Sequence, residues 1–420
     1  MIKKVSLFTS KRDFLLFLAA SLFILLHSIY IEYKNYQELT RFDSQLIKAT
    51  VLKQYEKSKN SRTYQVLKLK SENGLIFYTS AKKSLPDLKN KKLELEIWAG
   101  KISFYEYLTH FYAYSKIQHI DKNSTLKQRI NSFISNSHQN ENIANIYQAL
   151  YTATPLNREL QTRFSTLGVS HLLAISGFHL GVLSALLYFL FKPIYTLAQG
   201  RFFPYRNSKL DIFLSVAVVL FAYLLFLDFP PSLLRAYTML IFGFILYDRG
   251  IKIVSMWTLF LTIILLLVFF PRLVFSLGFW LSVSGVFYIF LFLIHFKHLK
   301  KVWQFILVPF WVYILMLPFS LVIFGNFSIY HPLSILWTTL FTLFYPLSIL
   351  MHPINHGDIF DKLLENFIHL GQNGLQITLS YKLLVIHVIL SLLSILKKNL
   401  LYLLLCFALS IFIYAIYHIT

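Results

Sequence analysis

Apolar segments follow one another from residue 171 onward, each about 17–25 residues long, the length a helix needs to cross a bilayer. Charged residues make up only 14% of the 420 residues, against roughly 25% in soluble proteins, so most of the chain cannot face water. A further apolar run extends from Phe14 to about Tyr30. Together these segments predict a polytopic α-helical membrane protein with about nine or ten membrane segments. We place the later segments near 171–191, 210–227, 232–247, 253–270, 275–294, 302–324, 332–351, 376–395 and 399–417.

Basic residues predict the orientation of these segments. The first run is longer than a signal-peptide core of about 7–15 residues, and no small-residue cleavage site follows it. We therefore expect an uncleaved anchor with its N-terminus in the cytoplasm. Cationic loops stay on the cytoplasmic side, and the loop 192–209 carries four Lys or Arg residues, so we expect that loop inside.

The segment 332–351 leaves the later topology open. If it crosses the membrane fully, Lys397 and Lys398 fall outside; if Pro346 interrupts it and the segment is re-entrant, they fall inside. The second arrangement agrees better with the charge rule and places the C-terminus outside. Residues 359–375 are predicted to form an amphipathic helix along the membrane.

A polar region between the first two membrane segments is predicted to form a small all-β domain. Residues 93–98 alternate apolar and polar side chains, as in a half-buried strand, and Asn73-Gly74 suits a tight hairpin turn. A small Greek-key barrel fits this pattern, and we expect it outside the cytoplasm. The predicted parts are 1–30 (N-terminus and first helix), 31–125 (β domain), 126–170 (amphipathic helical segment) and 171–420 (membrane domain).

The most distinctive stretch runs from Leu167 to Gly181, LGVSHLLAISGFHLG. Its small residues Ala174, Gly177 and Gly181 have helical spacing, which allows another helix or a ligand to approach closely. Polar groups in hydrocarbon need partners, so the polar members of the stretch are expected to face a bundle interior or a hydrated path. These members are Ser170, His171, Ser176 and His179. The two histidines favour buried hydrogen bonding over a metal site, because no third ligand is in register.

A second stretch, Pro230 to Tyr237, reads PPSLLRAY. Pro231 suits the first turn of a helix, and Ser232 can satisfy exposed backbone groups there. Arg235 then lies one turn inside an apolar span, where a guanidinium is costly and marks either a pathway or an ion pair. Asp228 is the nearby candidate for such a pair.

These two stretches resemble the ComEC family, the inner-membrane channel proteins of natural transformation. The family's GLSHLLAISGLH box is matched by Gly168 to His179, and its PSxxRA box by Pro231 to Ala236. The β-rich region resembles the family's extracytoplasmic OB-like domain. The clustered HxHxDH motif of the family's C-terminal metallo-β-lactamase-like nuclease is not found in the sequence, so we expect a short form without that domain.

The resemblance implies a channel in the bacterial inner membrane that moves single-stranded DNA into the cytoplasm. It also implies a periplasmic DNA receptor and a cytoplasmic helicase or DNA-binding proteins as partners, and it implies no cofactor, no metal and no catalytic residues. The expected DNA path or channel residues are Arg235, Ser232, His171, Ser176, His179 and Gly177.

The β domain is the expected receiving surface for DNA, because single strands bind to basic grooves with aromatic stacking platforms. The same aromatic residues could instead form the core of the barrel. The possible DNA-binding residues are Tyr64, Tyr78, Trp98, Lys68 and Lys70.

Two other functions compete with the channel. A secondary transporter of a small solute often shows internal repeats, and none is visible in the sequence. An intramembrane enzyme could use Ser176 as nucleophile and His179 as base, but no carboxylate lies nearby in the sequence to orient the histidine. The channel is therefore the function that the sequence favours.

Overall fold

The computed structural model describes residues 10–59, 62–121, 125–202, 204–251, 253–372, 374–377 and 379–418. The α-helices are α1 Lys11–Thr40, α2 Phe104–Leu108, α3 Leu126–Asn136, α4 Glu141–Thr152, α5 Arg158–Thr166, α6 Ser170–Leu173, α7 Gly177–Phe202, α8 Ser208–Phe226, α9 Pro231–Asp248, α10 Met256–Phe269, α11 Leu277–His295, α12 Lys301–Ile323, α13 Ser334–Met351, α14 Asp361–Leu370, α15 Tyr381–Leu393 and α16 Lys398–Tyr417. The strands are β1 Gln45–Lys59, β2 Arg62–Ser71, β3 Ile76–Ala81, β4 Lys92–Trp98, β5 Phe111–Tyr112, β6 Tyr114–Ile120, β7 Asn326–Phe327 and β8 Leu375–Gln376. Short 3₁₀ turns are Pro271–Phe275, His331–Leu333, His352–Ile354 and Gly357–Phe360.

Seven helices within the described ranges are long and apolar enough to cross a membrane: α1, α7, α8, α11, α12, α13 with its flanking turns, and α16. This is fewer than the predicted nine or ten. The other predicted segments coincide with α9, which carries Arg235, and with α10 and α15, which have 14 and 13 residues. At 1.5 Å per residue these last two are about 20 Å long, shorter than the roughly 30 Å hydrocarbon core.

The helix α13 runs unbroken through Pro346. The interruption predicted at this residue is therefore wrong, and the segment His331–Ile354 is long enough to span. A proline inside an apolar helix is tolerated where neighbouring groups satisfy the backbone carbonyl that it frees. The amphipathic helix predicted over 359–375 is confirmed only for Asp361–Leu370, which is α14 and buries Leu364 and Ile368. Leu375 belongs to β8 instead.

The chain divides into two compact units. Among the described residues, one unit holds 137–263 and 277–418, and the other holds 10–136 and 264–276. The predicted β domain lies in the second unit, together with α1, α2 and α3.

The second unit contains a six-stranded sheet of order β5-β3-β2-β1-β4-β6. β5 pairs parallel with β3, β6 pairs antiparallel with β4, and Ala113 alone separates β5 from β6. The Ala113 amide donates to the Tyr78 carbonyl, and the Thr79 and Ser115 hydroxyls are 2.8 Å apart. A single segment, 111–120, therefore joins both edges of the sheet and closes it into a barrel.

The alternation that predicted strand β4 is confirmed by burial. Leu93, Leu95 and Ile97 are buried in the barrel core together with Leu67, Leu69 and Phe77. The predicted hairpin at Asn73-Gly74 connects β2 to β3, and Gly74 has the positive φ of 77° that glycine adopts without strain.

Arg272, in the turn Pro271–Phe275, links α1 and α2 in the same unit. One guanidinium nitrogen donates to Glu32 Oε2 at 2.6 Å and to the Tyr107 hydroxyl at 3.0 Å. The guanidinium carbon also lies 4.9 Å from the centre of the Tyr107 ring. Desolvation raises the pKa of Tyr107 to about 12, so its hydroxyl stays protonated and takes part as a neutral group.

Candidate functional site

The spacing of small residues predicted one helix over the stretch from Leu167 to Gly181. The structure divides this stretch into two helices instead. The short helix α6 ends at Leu173, Ala174 is extended with ψ 116°, and α7 begins at Gly177. His179 explains the new start, because its Nδ1 accepts a hydrogen bond from the Ser176 amide at 3.2 Å and lies 3.1 Å from Ser176 Oγ. The histidine, the third residue of α7, thus accepts from the backbone of the residue before the helix, a role that glutamate or glutamine fills in a capping box.

Gly168 is required at its position for two reasons. Its φ is +72°, and a Cβ atom on it would lie 2.7 Å from Cε1 of His331. The imidazole of His331 therefore packs directly on this backbone, and Nδ1 of the same ring lies 3.0 Å from the Tyr313 hydroxyl.

Replacing Gly168 with alanine is expected to destabilise the protein by about 2–4 kcal/mol, the sum of backbone strain and overpacking against His331. Gly250→Ala is the matched control, because Gly250 has a φ of +69° and no heavy atom within 4 Å of the added Cβ. It should lose only about 1–2 kcal/mol. Unfolding of the two purified variants in mild detergent tests this, and equal losses would show that the ring contact does not constrain the site.

The two predicted boxes pack against each other. Ser232 Oγ donates to the Ile175 carbonyl at 2.7 Å. A Cβ on Gly177 would lie 3.0 Å from Ala236 Cβ and 3.1 Å from an Arg235 guanidinium nitrogen, so the missing side chain allows α9 to approach the start of α7. The close approach that the small residues predicted is confirmed at Gly177. It is wrong at Gly181, where no heavy atom lies within 4 Å of an added Cβ, and Ala174 lies outside the helix.

Arg235 is buried, with 4% of its surface exposed. Its Nε and one terminal nitrogen donate to Ser282 Oγ on α11 at 3.0 and 2.8 Å. The other terminal nitrogen donates to Met239 Sδ at 2.9 Å. These partners are uncharged, and they join α9 to α11 beside the first residue of α7.

His171 is exposed and contacts α13. Its Nε2 lies 3.2 Å from Thr338 Oγ1. Two further imidazoles contact the first box, His331 at Gly168 and His179 at Ser176.

One face of α13 carries polar groups at helical spacing along its length. Thr338 contacts His171, Tyr345 packs its ring 4.7 Å from that of His179, and Ser348 accepts from the Tyr151 hydroxyl at 2.8 Å. Positions 338, 345 and 348 project on one side of the helix because seven residues make nearly two turns. The same face continues to His352, just beyond the helix.

Two of the aromatic residues predicted in the β domain, Tyr78 and Trp98, lie on the outer face of the barrel, because they alternate with the buried Phe77 and Ile97. Lys68 and Lys70 lie on the outer face of β2, since their neighbours Leu67 and Leu69 are buried. Tyr64 is half-buried near the start of the same strand.

Strand pairing connects several of these side chains into an aromatic row. Lys68 lies opposite Tyr78, with its ammonium 5.8 Å from the ring centre, and Tyr78 lies opposite Tyr112. Tyr112 and Tyr114 have ring centres 6.4 Å apart, and Tyr114 lies opposite Trp98. Tyr112, Tyr114 and Trp98 are 52%, 74% and 43% exposed, so the row presents ring faces and edges to water.

Sequence reasoning missed Tyr112 and Tyr114, and also a buried imidazole pair, His138 and His352. The alternation of aromatic and small residues in FYAYS, residues 111–115, was a usable signal for the first two. Among the residues that the structure describes, no group of three or more His, Cys, Asp or Glu side chains could hold a metal ion.

Comparison with protein families matches residues 153–418 to the family described as Competence protein. Comparison with curated proteins and with solved structures gives no match. The matched range contains both boxes, the polar face of α13 and all the apolar helices after α1, and it covers more than half of the chain. The chain therefore belongs to the Competence protein family.

Proposed function

We propose that this protein is an inner-membrane channel that passes single-stranded DNA into the cytoplasm during natural transformation. The aromatic row of the β domain is the observation that carries this proposal. Membership of the Competence protein family and seven helices long enough to span a membrane support it. In this proposal the N-terminus is cytoplasmic, and a periplasmic DNA receptor and a cytoplasmic helicase or DNA-binding proteins are the partners.

We propose that the β domain is OB-like and receives the strand. Its parallel β3–β5 pair, its antiparallel β1–β4 pair and its closure by 111–120 give the strand order of a five-stranded barrel when 111–120 is counted as one strand. Barrels of this kind bind oligonucleotides on an outer strand face. In the aromatic row, bases would stack on tyrosine and tryptophan rings while Lys68 and Lys70 attract phosphates.

The path through the membrane unit is proposed to run beside His171 and the junction of the two boxes. Arg235 lies at this junction next to the first turns of α7 and α9, whose N-termini carry partial positive charge. Because the hydrogen-bond partners seen for Arg235 are uncharged, its positive potential remains available to an entering phosphate. The same junction is shaped by His171, Ser176, His179, Ser232 and Gly177.

The receiving surface can be tested on the full-length protein in lipid nanodiscs with a fluorescent single-stranded oligonucleotide. Wild type is expected to bind without sequence preference and more weakly as salt rises. Tyr114→Ala should weaken binding roughly 5- to 100-fold, because stacking is worth about 1–3 kcal/mol per base. Tyr114 is well exposed, so the change should not disturb the fold.

Tyr114→Phe is the matched control, because it keeps the ring and should bind like wild type. Equal binding by wild type and Tyr114→Ala would exclude the aromatic row as the receiving surface. A wild-type protein that binds no DNA even at low salt would favour the small-solute transporter instead.

A further inference from the structure

A buried chain of hydrogen bonds joins three elements of the larger unit. His138, which precedes α4, has its Nδ1 2.9 Å from both carboxylate oxygens of Asp361, the first residue of α14. Its Nε2 lies 3.1 Å from Nε2 of His352, in the turn that follows α13. His352 Nδ1 in turn lies 2.7 Å from the Ser348 carbonyl.

This chain of hydrogen bonds needs one extra proton. The Ser348 carbonyl can only accept, so His352 Nδ1 carries a hydrogen and its Nε2 is left as an acceptor. An ionised Asp361 also only accepts, so His138 Nδ1 carries a hydrogen too. Two neutral rings would then oppose their Nε2 lone pairs at 3.1 Å, which is repulsive.

One added proton removes this conflict, wherever it resides. On His138 it makes an imidazolium that donates to both Asp361 and His352. On Asp361 it makes a neutral acid that donates to His138, which then donates to His352 through Nε2. In both cases the three side chains together are uncharged.

We propose that Asp361, His138 and His352 form one proton-binding site, the imidazole latch, which ties the start of α4 and the start of α14 to the end of α13. With the proton bound, every nitrogen in the latch is hydrogen-bonded. When the proton leaves, the two rings repel and the connection loosens.

The surroundings of the latch favour a site without net charge, because buried charges are costly. Desolvation raises the pKa of Asp361, and the carboxylates of Asp358 and Glu365 act in the same direction. The ring of Tyr147 stacks on His138 at 4.5 Å, and that of Tyr151 meets His352 edge-on at 5.2 Å. The titratable groups that face the latch thus come from α4 (Tyr147, Tyr151), from the turn before α14 (Asp358) and from α14 (Glu365).

The latch is shielded but can exchange its proton. His138 has no exposed side-chain surface, whereas the Asp361 side chain is 20% exposed. Gly357 passes so close to His352 that a Cβ there would lie 2.9 Å from the ring, so the imidazole has little room to turn away.

Proton binding should influence the candidate site through α13. The same face of this helix that ends at His352 carries Tyr345 beside His179 and Thr338 beside His171. A helix held at its end by the latch therefore presents a fixed polar face to the first box. The latch itself does not depend on what passes through the protein.

The test is denaturant unfolding of the full-length protein in mild detergent between pH 6 and 9. A folded state that holds the proton more tightly than free histidine, whose pKa is about 6.5, loses stability as the pH rises toward the pKa of the latch. Asp361→Asn should remove this loss, because the amide donates to His138 and every hydrogen bond forms without the extra proton. Relative to Asp361→Asn, the wild-type unfolding constant should rise tenfold per pH unit in that range.

Glu365→Gln is the matched control on the same helix. Glu365 accepts from the Asn140 amide at 2.8 Å, a bond that glutamine retains. This variant should therefore keep the tenfold change per pH unit, in a range shifted to lower pH because one carboxylate that acts on Asp361 is gone. An Asp361→Asn protein with the wild-type pH dependence would overturn the proposal.

A second measurement does not depend on that variant folding. Nitrogen-15 spectra of the histidines and carbon-13 spectra of the aspartate carboxyls of labelled wild type at pH 7.5 should show one bound proton, either as an imidazole protonated on both nitrogens or as a neutral Asp361 carboxyl. His352→Phe should lose that signal. Spectra in which every histidine is neutral at pH 7.5, with the Asp361 carboxyl ionised, would also overturn the proposal.

Discussion

Replacing Arg235 with alanine is expected to lower delivery of DNA to the cytoplasm about 100-fold while the protein remains in the membrane. The proposed phosphate path would lose its positive group, and hydrogen bonds to a charged group contribute about 1.5–3 kcal/mol each. The measurement is transformation of a deletion strain that expresses each variant. External and cytoplasmic DNA are assayed separately, and DNA should still accumulate outside.

Two variants separate charge from helix packing at this position. Arg235→Lys keeps the charge but loses the planar fork of the guanidinium, so it should transport partially. Ser282→Ala removes the hydroxyl that accepts two of the guanidinium bonds and should transport nearly normally if the charge is what matters. Normal transformation by a stably inserted Arg235→Ala protein would remove this residue from the DNA path.

Replacing Arg272 with alanine is expected to destabilise the β-containing unit by about 2–3 kcal/mol. A fully buried ion pair that loses one partner costs about 3–5 kcal/mol, and here the Arg272 and Glu32 side chains are 23% and 18% exposed, which reduces the loss. The Tyr107 hydroxyl would lose its donor as well. Thermal unfolding of the full-length variant in detergent measures the effect.

The double variant Arg272→Met with Glu32→Leu is the control for this prediction. Apolar residues of similar volume often replace a buried pair without loss, so the double variant should regain most of the stability that either single change removes. A double variant as unstable as the sum of the two singles would mean that Arg272 and Glu32 act independently.

The features that sequence predicted well are those set by local pattern. Alternation at 93–98 predicted the buried face of β4, and the length of the apolar runs predicted most of the spanning helices. Glycine at 177 predicted a close approach because a backbone without Cβ is the physical requirement for one. These features depend on residues only a few positions apart.

The features that sequence missed depend on distant partners. The contact between His138 and His352 joins residues 214 positions apart, and no residue pattern within either segment predicts it. The break at Ala174 was missed because the residues around it suit a helix, and the side chain that starts the next helix, His179, is an uncommon cap. At Pro346 the sequence predicted a break that the structure does not have, because an apolar environment lets α13 continue through the proline.

The contact of Arg272 with Tyr107 and Glu32 has a consequence for how the protein is made. The arginine follows Tyr107 by 165 positions and Glu32 by 240, so at roughly 5–20 residues per second the ribosome supplies it about 8–30 s after Tyr107. During that interval α1 and α2 already exist while the partner of their carboxylate and phenol is still unsynthesised. The unit that holds the barrel is therefore completed only after several later helices have left the ribosome. Its final assembly requires that the chain has been made at least to residue 276.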